Sequence, residues 1–146
     1  MSLADWAANG WLRPHQTTRR QIADLLAIVD RDLADARRAE LSADWQFGIA
    51  YNAALKLCTI LLYASGYRPE KNLAHYRTLQ SLPLILGPER QEDADYLDAC
   101  RAKRNTAEYD AAGVVSQSEA AELRQFAAEL RVAVLAWLEK NQALLL

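Results

Sequence analysis

Residues Ser42 to Gly66 read SADWQFGIAYNAALKLCTILLYASG, and the fold of the whole chain turns on how this stretch is built. Ser42 carries a hydroxyl that can accept a bond from an unpaired N–H of a first helical turn, and Gly66 takes the left-handed conformation that ends a helix without steric cost. The stretch therefore predicts one long helix from Ser42 to about Ser65. Its interior is rich in alanine and leucine, with one polar stripe: Asn52, Lys56 and Thr59 step by four and three residues and so share a face. That face meets water, a partner or a pocket. Trp45 and Tyr63 flank it and make it amphipathic instead of simply wet, which suits an interface or ligand groove as well as a solvated surface.

Upstream, Ile22, Leu25, Leu26, Val29 and Leu33 recur at three- and four-residue steps, predicting a helix from Thr17 to about Arg38 with one buried stripe. Downstream, YRPEKN is a connecting loop, and AHYRTLQSLPLILG is a short or kinked helix, interrupted by Pro83 and closed by Gly87-Pro88. Glu89 to about Ala112 predicts a further helix closed by Gly113. The last begins with a capping box, Ser116 to Glu119, and buries Leu123, Phe126, Leu130, Val134 and Trp137 or Leu138. No strand pattern or repeat is present. The expected fold is all-α, an antiparallel up-down four-helix bundle with a short extra helix, in a single domain over residues 1–146. Residues 1–16, with Trp6 and Trp11, form an N-terminal extension, and the bundle starts at about residue 17.

A chain of 146 residues can bury a core without disulfides or metals. Its 17 Lys+Arg against 19 Asp+Glu give a formal charge of -2, so it lacks the global cationic field of a duplex-DNA binder, and nucleic acid would have to meet a local basic patch. Cys58 and Cys100 have no ligand spacing and fit a reduced core. The start, MSLADWAANGWL, has neither the basic nor the long apolar region of a signal peptide, and no apolar run of some eighteen residues is present, so the expected location is cytoplasmic with no membrane contact. His15 and His75 are the only histidines and lack the paired Glu-x-x-His spacing of di-iron bundles, so no metal or cofactor is expected. Hydrolase elbows, phosphate-binding glycine loops and zinc-protease motifs are missing too.

The stretch RAKRNTAEYD, Arg101 to Asp110, concentrates charge. Helical geometry sets Arg101, Arg104, Asn105 and Glu108 along one face with Tyr109 to the side, and Arg104 can pair with Glu108 across one turn. By itself this is the pattern of a salt-bridged helix surface.

Three segments together go further: AYNAAL in the long helix, GYRPEKNLAHYRTLQSL after it, and Arg104-Asn105 with Tyr109. From Arg20 to the C-terminus the layout resembles the HEPN family, small helical domains of prokaryotic toxin-antitoxin, abortive-infection and RNA-processing systems. The resemblance implies an up-down bundle that dimerises so that R-x4-6-H motifs meet in a shared cleft and cleave RNA without metal. Arg104 matches the motif arginine and Asn105 the polar residue after it, but Tyr109 stands where the histidine belongs. A phenol with a pKa near 10 does not replace an imidazole as a base at neutral pH. Arg104 can still stabilise phosphate charge. The tyrosine that some family members present for adenylylation corresponds here to Ala111. His75 falls in the matched loop and is taken as a packing or capping residue, the alternative being that it reaches the cleft.

The resemblance thus implies a homodimeric binding module for RNA or nucleotide, or for a partner nucleotidyltransferase, through Asn52, Lys56, Arg101 and Arg104 with Asn105 and Tyr109. The alternative is an active metal-independent ribonuclease toxin in which Arg104 holds the scissile phosphate and Tyr109 orients it. A third reading is the helical substrate domain of a nucleotidyltransferase working as a separate chain.

Overall fold

The computed structural model describes all 146 residues. In chain order the elements are α1 (Leu3–Ala8), β1 (Leu12–Pro14), α2 (Arg19–Asp35), α3 (Ala43–Ala64), β2 (Tyr67–Pro69), α4 (Ala74–Gln80), α5 (Leu82–Leu86), α6 (Gln91–Tyr109) and α7 (Gln117–Asn141), with 3-10 turns at Pro88–Arg90 and Ala143–Leu145. The chain is predominantly helical, as its periodicity predicts. Helix α3 has the expected limits: the Ser42 hydroxyl accepts from the Trp45 N–H at 3.2 Å, and Gly66 turns the chain out with a φ of +94°.

Helix α3 is the axis, with 13 of its 22 residues buried. Helices α2, α4, α5, α6 and α7 all pack on it. Ile22 and Val29 of α2, Leu97 of α6 and Leu123, Leu130, Val134 and Leu138 of α7 meet Leu57, Ile60 and Leu61 in one apolar core. Cys58 and Cys100 belong to that core; burial pushes the Cys58 thiol up to about 12 and the Cys100 thiol up to about 11. Both are therefore packing residues at neutral pH. By length and mean hydropathy, 1.4, α3 also satisfies the requirements of a membrane span, which the sequence reading did not credit, but 67% of that window is buried inside the protein. Its apolar surface is already covered by the other helices.

Two local structures differ from the sequence expectation. Strands β1 and β2 form an antiparallel ribbon in the register Leu12↔Pro69, Arg13↔Arg68 and Pro14↔Tyr67, where only a loop was expected at residues 67–72. Each strand has three residues and ends in proline, too little for an alternating pattern to emerge. The ribbon joins the N-terminal residues to the C-terminal end of α3, where Trp6 and Leu12 pack with Leu62. Arg77 of α4 covers this corner, its guanidinium 3.9 Å from the Trp11 ring centroid.

Gly113 does not end α6. The helix stops at Tyr109, and Gly113, with a φ of +74°, shapes the turn into α7. Asp44 in the first turn of α3 fixes that turn: its carboxylate accepts from the Gly113 N–H at 2.7 Å and from the Val115 N–H at 3.1 Å. Ser116 and Glu119 then form the predicted capping box of α7. Asp44→Ala removes a charged acceptor from two backbone donors, each such bond being worth about 1.5–3 kcal/mol. Chemical denaturation should show a loss of roughly 2–4 kcal/mol, less than the sum of the two because the exposed Gly113 N–H regains water, with Asp44→Asn intermediate. An Asp44→Ala variant as stable as the parent would mean that core packing alone closes the turn.

Candidate functional site

The surface of α3 left open by its neighbours is the predicted polar stripe. Trp45 is exposed and Gly48, Ile49, Asn52, Lys56, Thr59 and Tyr63 are half-buried. Most of these polar groups are already committed. The Asn52 amide donates at 2.6 Å to Asp32 of α2, a carboxylate 5% exposed that also accepts from Arg31 at 3.0 Å. The Thr59 hydroxyl donates to the Leu55 carbonyl at 2.9 Å, and Tyr63 stacks on His15 with ring centroids 4.2 Å apart. Lys56 is the one stripe residue carrying a charge.

Helix α6 supplies the facing wall. Arg101 pairs with Asp98 at 2.8 Å. Arg104 pairs with Glu108 at 2.9 Å, as the spacing predicts, and donates to the Asn105 side-chain oxygen at 3.1 Å. Its guanidinium carbon lies 5.7 Å from the ring centroid of Tyr51, a residue 1% exposed. The Tyr51 hydroxyl is buried without a hydrogen-bond partner. Burial raises its pKa, and the charges of Arg101 and Arg104 act against that rise.

His75 completes the cluster from a third direction. It sits in the first turn of α4, where it neither caps the helix nor belongs to the core: the N-cap is Leu73, with no side-chain cap bond, and His75 is only partly covered by its neighbours. Leu73 holds the left-handed conformation at a φ of +56°, a strain of roughly 1–3 kcal/mol for a non-glycine residue, and in doing so turns the chain into α4. The His75 pKa is lowered, first by partial burial of the ring and then by the positive charges of Arg104, Lys56 and Arg101. Charges from α3 and α6 thus both bear on His75 of α4. Only Arg104 of these lines the clefts described below; Arg101, Lys56 and His75 do not, nor does Tyr109, which is 71% exposed.

Arg104, Glu108 and Trp45 divide two clefts. The larger, about 450 Å³, is closed by Gly48, Ala107 and Val115. The smaller, about 140 Å³, has α3 as its floor and Asp32 of α2 as its far wall, with Asn52 between. Compared with family models, curated proteins and solved structures, the chain matches none.

Of the residues read from the sequence as a site, Arg104 and Asn52 line a cleft and Arg101, Lys56 and Tyr109 do not; the electrostatic link of His75 to Arg104 has no signal within AHYRTLQ, because it depends on how α4 docks on α6. The cationic surroundings disfavour the imidazolium. In the folded state His75 therefore releases its proton below the ordinary value of 6.5. An unfolded chain takes up that proton first as pH falls, so the stability linked to His75 is complete above pH 6.5 and is lost as pH drops from there toward the folded value. An NMR titration should find the His75 midpoint below 6.5 and find it moved upward in Arg104→Ala. An unmoved midpoint would assign the shift to burial alone.

Proposed function

We propose that this chain is a cytoplasmic HEPN-type helical bundle that binds the phosphates of RNA or of a nucleotide in the groove between α3 and α6. The observation that carries this reading is Arg104, which lines both clefts beside α3, while its charge and those of Lys56 and Arg101 bear on His75 in a chain whose net charge is -2. Such a local field attracts phosphate while the acidic remainder of the surface repels duplex DNA. Arg104 offers a planar fork of donors for phosphate oxygens, and its present partner Glu108 is an i,i+4 carboxylate whose pairing is worth only about 0.3–0.5 kcal/mol. Exchange for phosphate is therefore cheap. A symmetric homodimer, which the HEPN resemblance implies, would bring two such grooves together, and a nucleotidyltransferase is the protein partner the resemblance implies. Sedimentation that finds only monomer at tens of micromolar, roughly where standard interfaces assemble, would remove the dimer.

A second reading, the metal-independent ribonuclease, draws support from His75. An imidazole kept neutral beside Arg104 is a base able to take a 2′-hydroxyl proton near pH 7 while the arginine holds the phosphate. In this reading His75 takes the role for which Tyr109 is chemically unsuited.

Fluorescence anisotropy with a labelled RNA oligonucleotide tests the first reading. Arg104→Ala should weaken binding by about 1.5–3 kcal/mol and lower the salt slope by about one unit, with Arg104→Lys between it and the parent because charge survives but the fork does not. Binding that is equal in all three proteins would reduce the arginine to a surface ion pair. Incubation of the same RNA with excess chelator tests the second: cleavage abolished in His75→Ala but retained in Tyr109→Phe supports the ribonuclease, and an intact oligonucleotide leaves a binding module.

A further inference from the structure

Trp45 lies in the first turn of the most buried helix, yet it is 61% exposed. Its indole borders both clefts, with Arg104 beside it in each. The larger cleft, about 450 Å³, falls within the size range of small-molecule sites, roughly 300–1,000 Å³. Ala107, Ala112 and Val115 give it apolar walls. Asp44 contributes little free polarity, since its carboxylate is occupied by the Gly113 and Val115 N–H groups. Glu108 is the remaining carboxylate among the lining residues, held by Arg104 at the boundary between the clefts.

This is the shape and chemistry of a slot for a flat, aromatic, partly polar ring next to an anion site. Gly48, whose α-carbon faces the Arg104 side chain, is three residues beyond Trp45, a rise of about 4.5 Å along α3. The Arg104 side chain thus crosses α3 about one helical turn from Trp45, and both residues line the same cleft. Lys56 follows on the same stripe, about 16 Å from Trp45 along the axis. We infer that Trp45 and its cleft form a stacking subsite for an unpaired nucleobase whose phosphate Arg104 holds, so that the groove selects single-stranded over duplex nucleic acid. The inference rests on the groove being a phosphate site. Paired bases in a duplex have both faces stacked on neighbours and offer none to an indole, whereas unpaired bases stack on aromatic side chains whatever their sequence.

The test compares three ligands of equal length: a single-stranded RNA oligonucleotide, the same strand annealed to its complement, and an abasic ribose-phosphate oligomer. Each is titrated by anisotropy against the parent, Trp45→Ala, Trp45→Phe and Arg104→Ala. The single strand should bind tightest. Trp45→Ala should weaken it about five- to hundredfold, the range for one base–aromatic stack, and leave the abasic oligomer unaffected. Trp45→Phe should recover most of the loss, and Arg104→Ala should weaken both the single strand and the abasic oligomer. Thermal denaturation should show the parent and both Trp45 variants equally folded, because the indole is mostly in water, and the Arg104→Ala titration is run at a temperature where that variant is folded. Equal affinity of the parent for the abasic and the base-bearing strands would overturn the stacking subsite and leave the phosphate site standing. Tighter binding of the duplex would also overturn it. A Trp45→Ala effect confined to self-association would overturn it in favour of a second copy covering the indole. If none of the three ligands binds, the phosphate site itself falls.

Discussion

Burying a helix that is apolar on three sides is the constraint from which this architecture follows. Tyr51, Leu57, Ile60, Leu61 and Leu62 of α3 are all fully buried, and each large apolar side chain taken from water contributes about 1.5–3 kcal/mol. No single neighbour can cover that much surface. Helices α2, α7, α6 and the α4–α5 pair share it, and what they leave open is the stripe of residues too polar or too bulky to be covered. Two buried polar side chains at the edges of the core are tied in, the Tyr51 hydroxyl being the exception: Asp32 to Asn52, and Gln46 to the Arg38 carbonyl at 2.7 Å and to Arg124 at 3.1 Å. Leaving any of these unpaired would cost about 1–3 kcal/mol. The groove is thus a consequence of packing, and its floor cannot shift without opening the core.

Charge on the groove walls is arranged for exchange. Arg101 and Arg104 are each oriented by a carboxylate on their own helix, Asp98 and Glu108, and pairs of this kind are weak enough in water to yield to a phosphate. Lys103, which faces the other way, is used structurally: it bonds Glu119 of the α7 capping box and helps to hold that carboxyl down to about 2. The three cations of RAKR therefore divide between two tasks, two toward the groove and one toward α7. Formal net charge, by summing over the whole chain, conceals this division.

Much of the helix pattern is legible from local chemistry. Ser42, Ser116 with Glu119, and Gly66 act within one turn of themselves, so their roles follow from residue type and spacing. What is not legible depends on partners far away in the chain. The β1–β2 ribbon needs both of its short strands at once. Gly113 resembles a helix terminator until Asp44, from a different helix, is seen to claim its N–H. The same division runs through the site. Arg101 and Arg104 share a face of one helix and can be paired by counting, whereas His75 reaches them only through the left-handed turn at Leu73 and the docking of α4 on α6. Tyr109 shows the converse: a register count brings it beside the motif, but it lies in the last turn of α6 and extends into solvent.

Asp44 and Trp45 are adjacent in sequence and illustrate how a helix N-terminus can serve structure and recognition together. Successive residues in a first turn point about 100° apart, so the carboxylate of Asp44 can be spent on the α6–α7 turn while the neighbouring indole faces the groove. The turn that Asp44 holds contributes Gly113 and Val115 to the wall of the larger cleft. The slot beside Trp45 therefore exists only while that carboxylate is engaged. Its shape is linked both to that loop and, through the buried side chain of Val115, to the apolar core beneath it, so a change that releases Gly113 and Val115 would act on the cleft and on the edge of the core together.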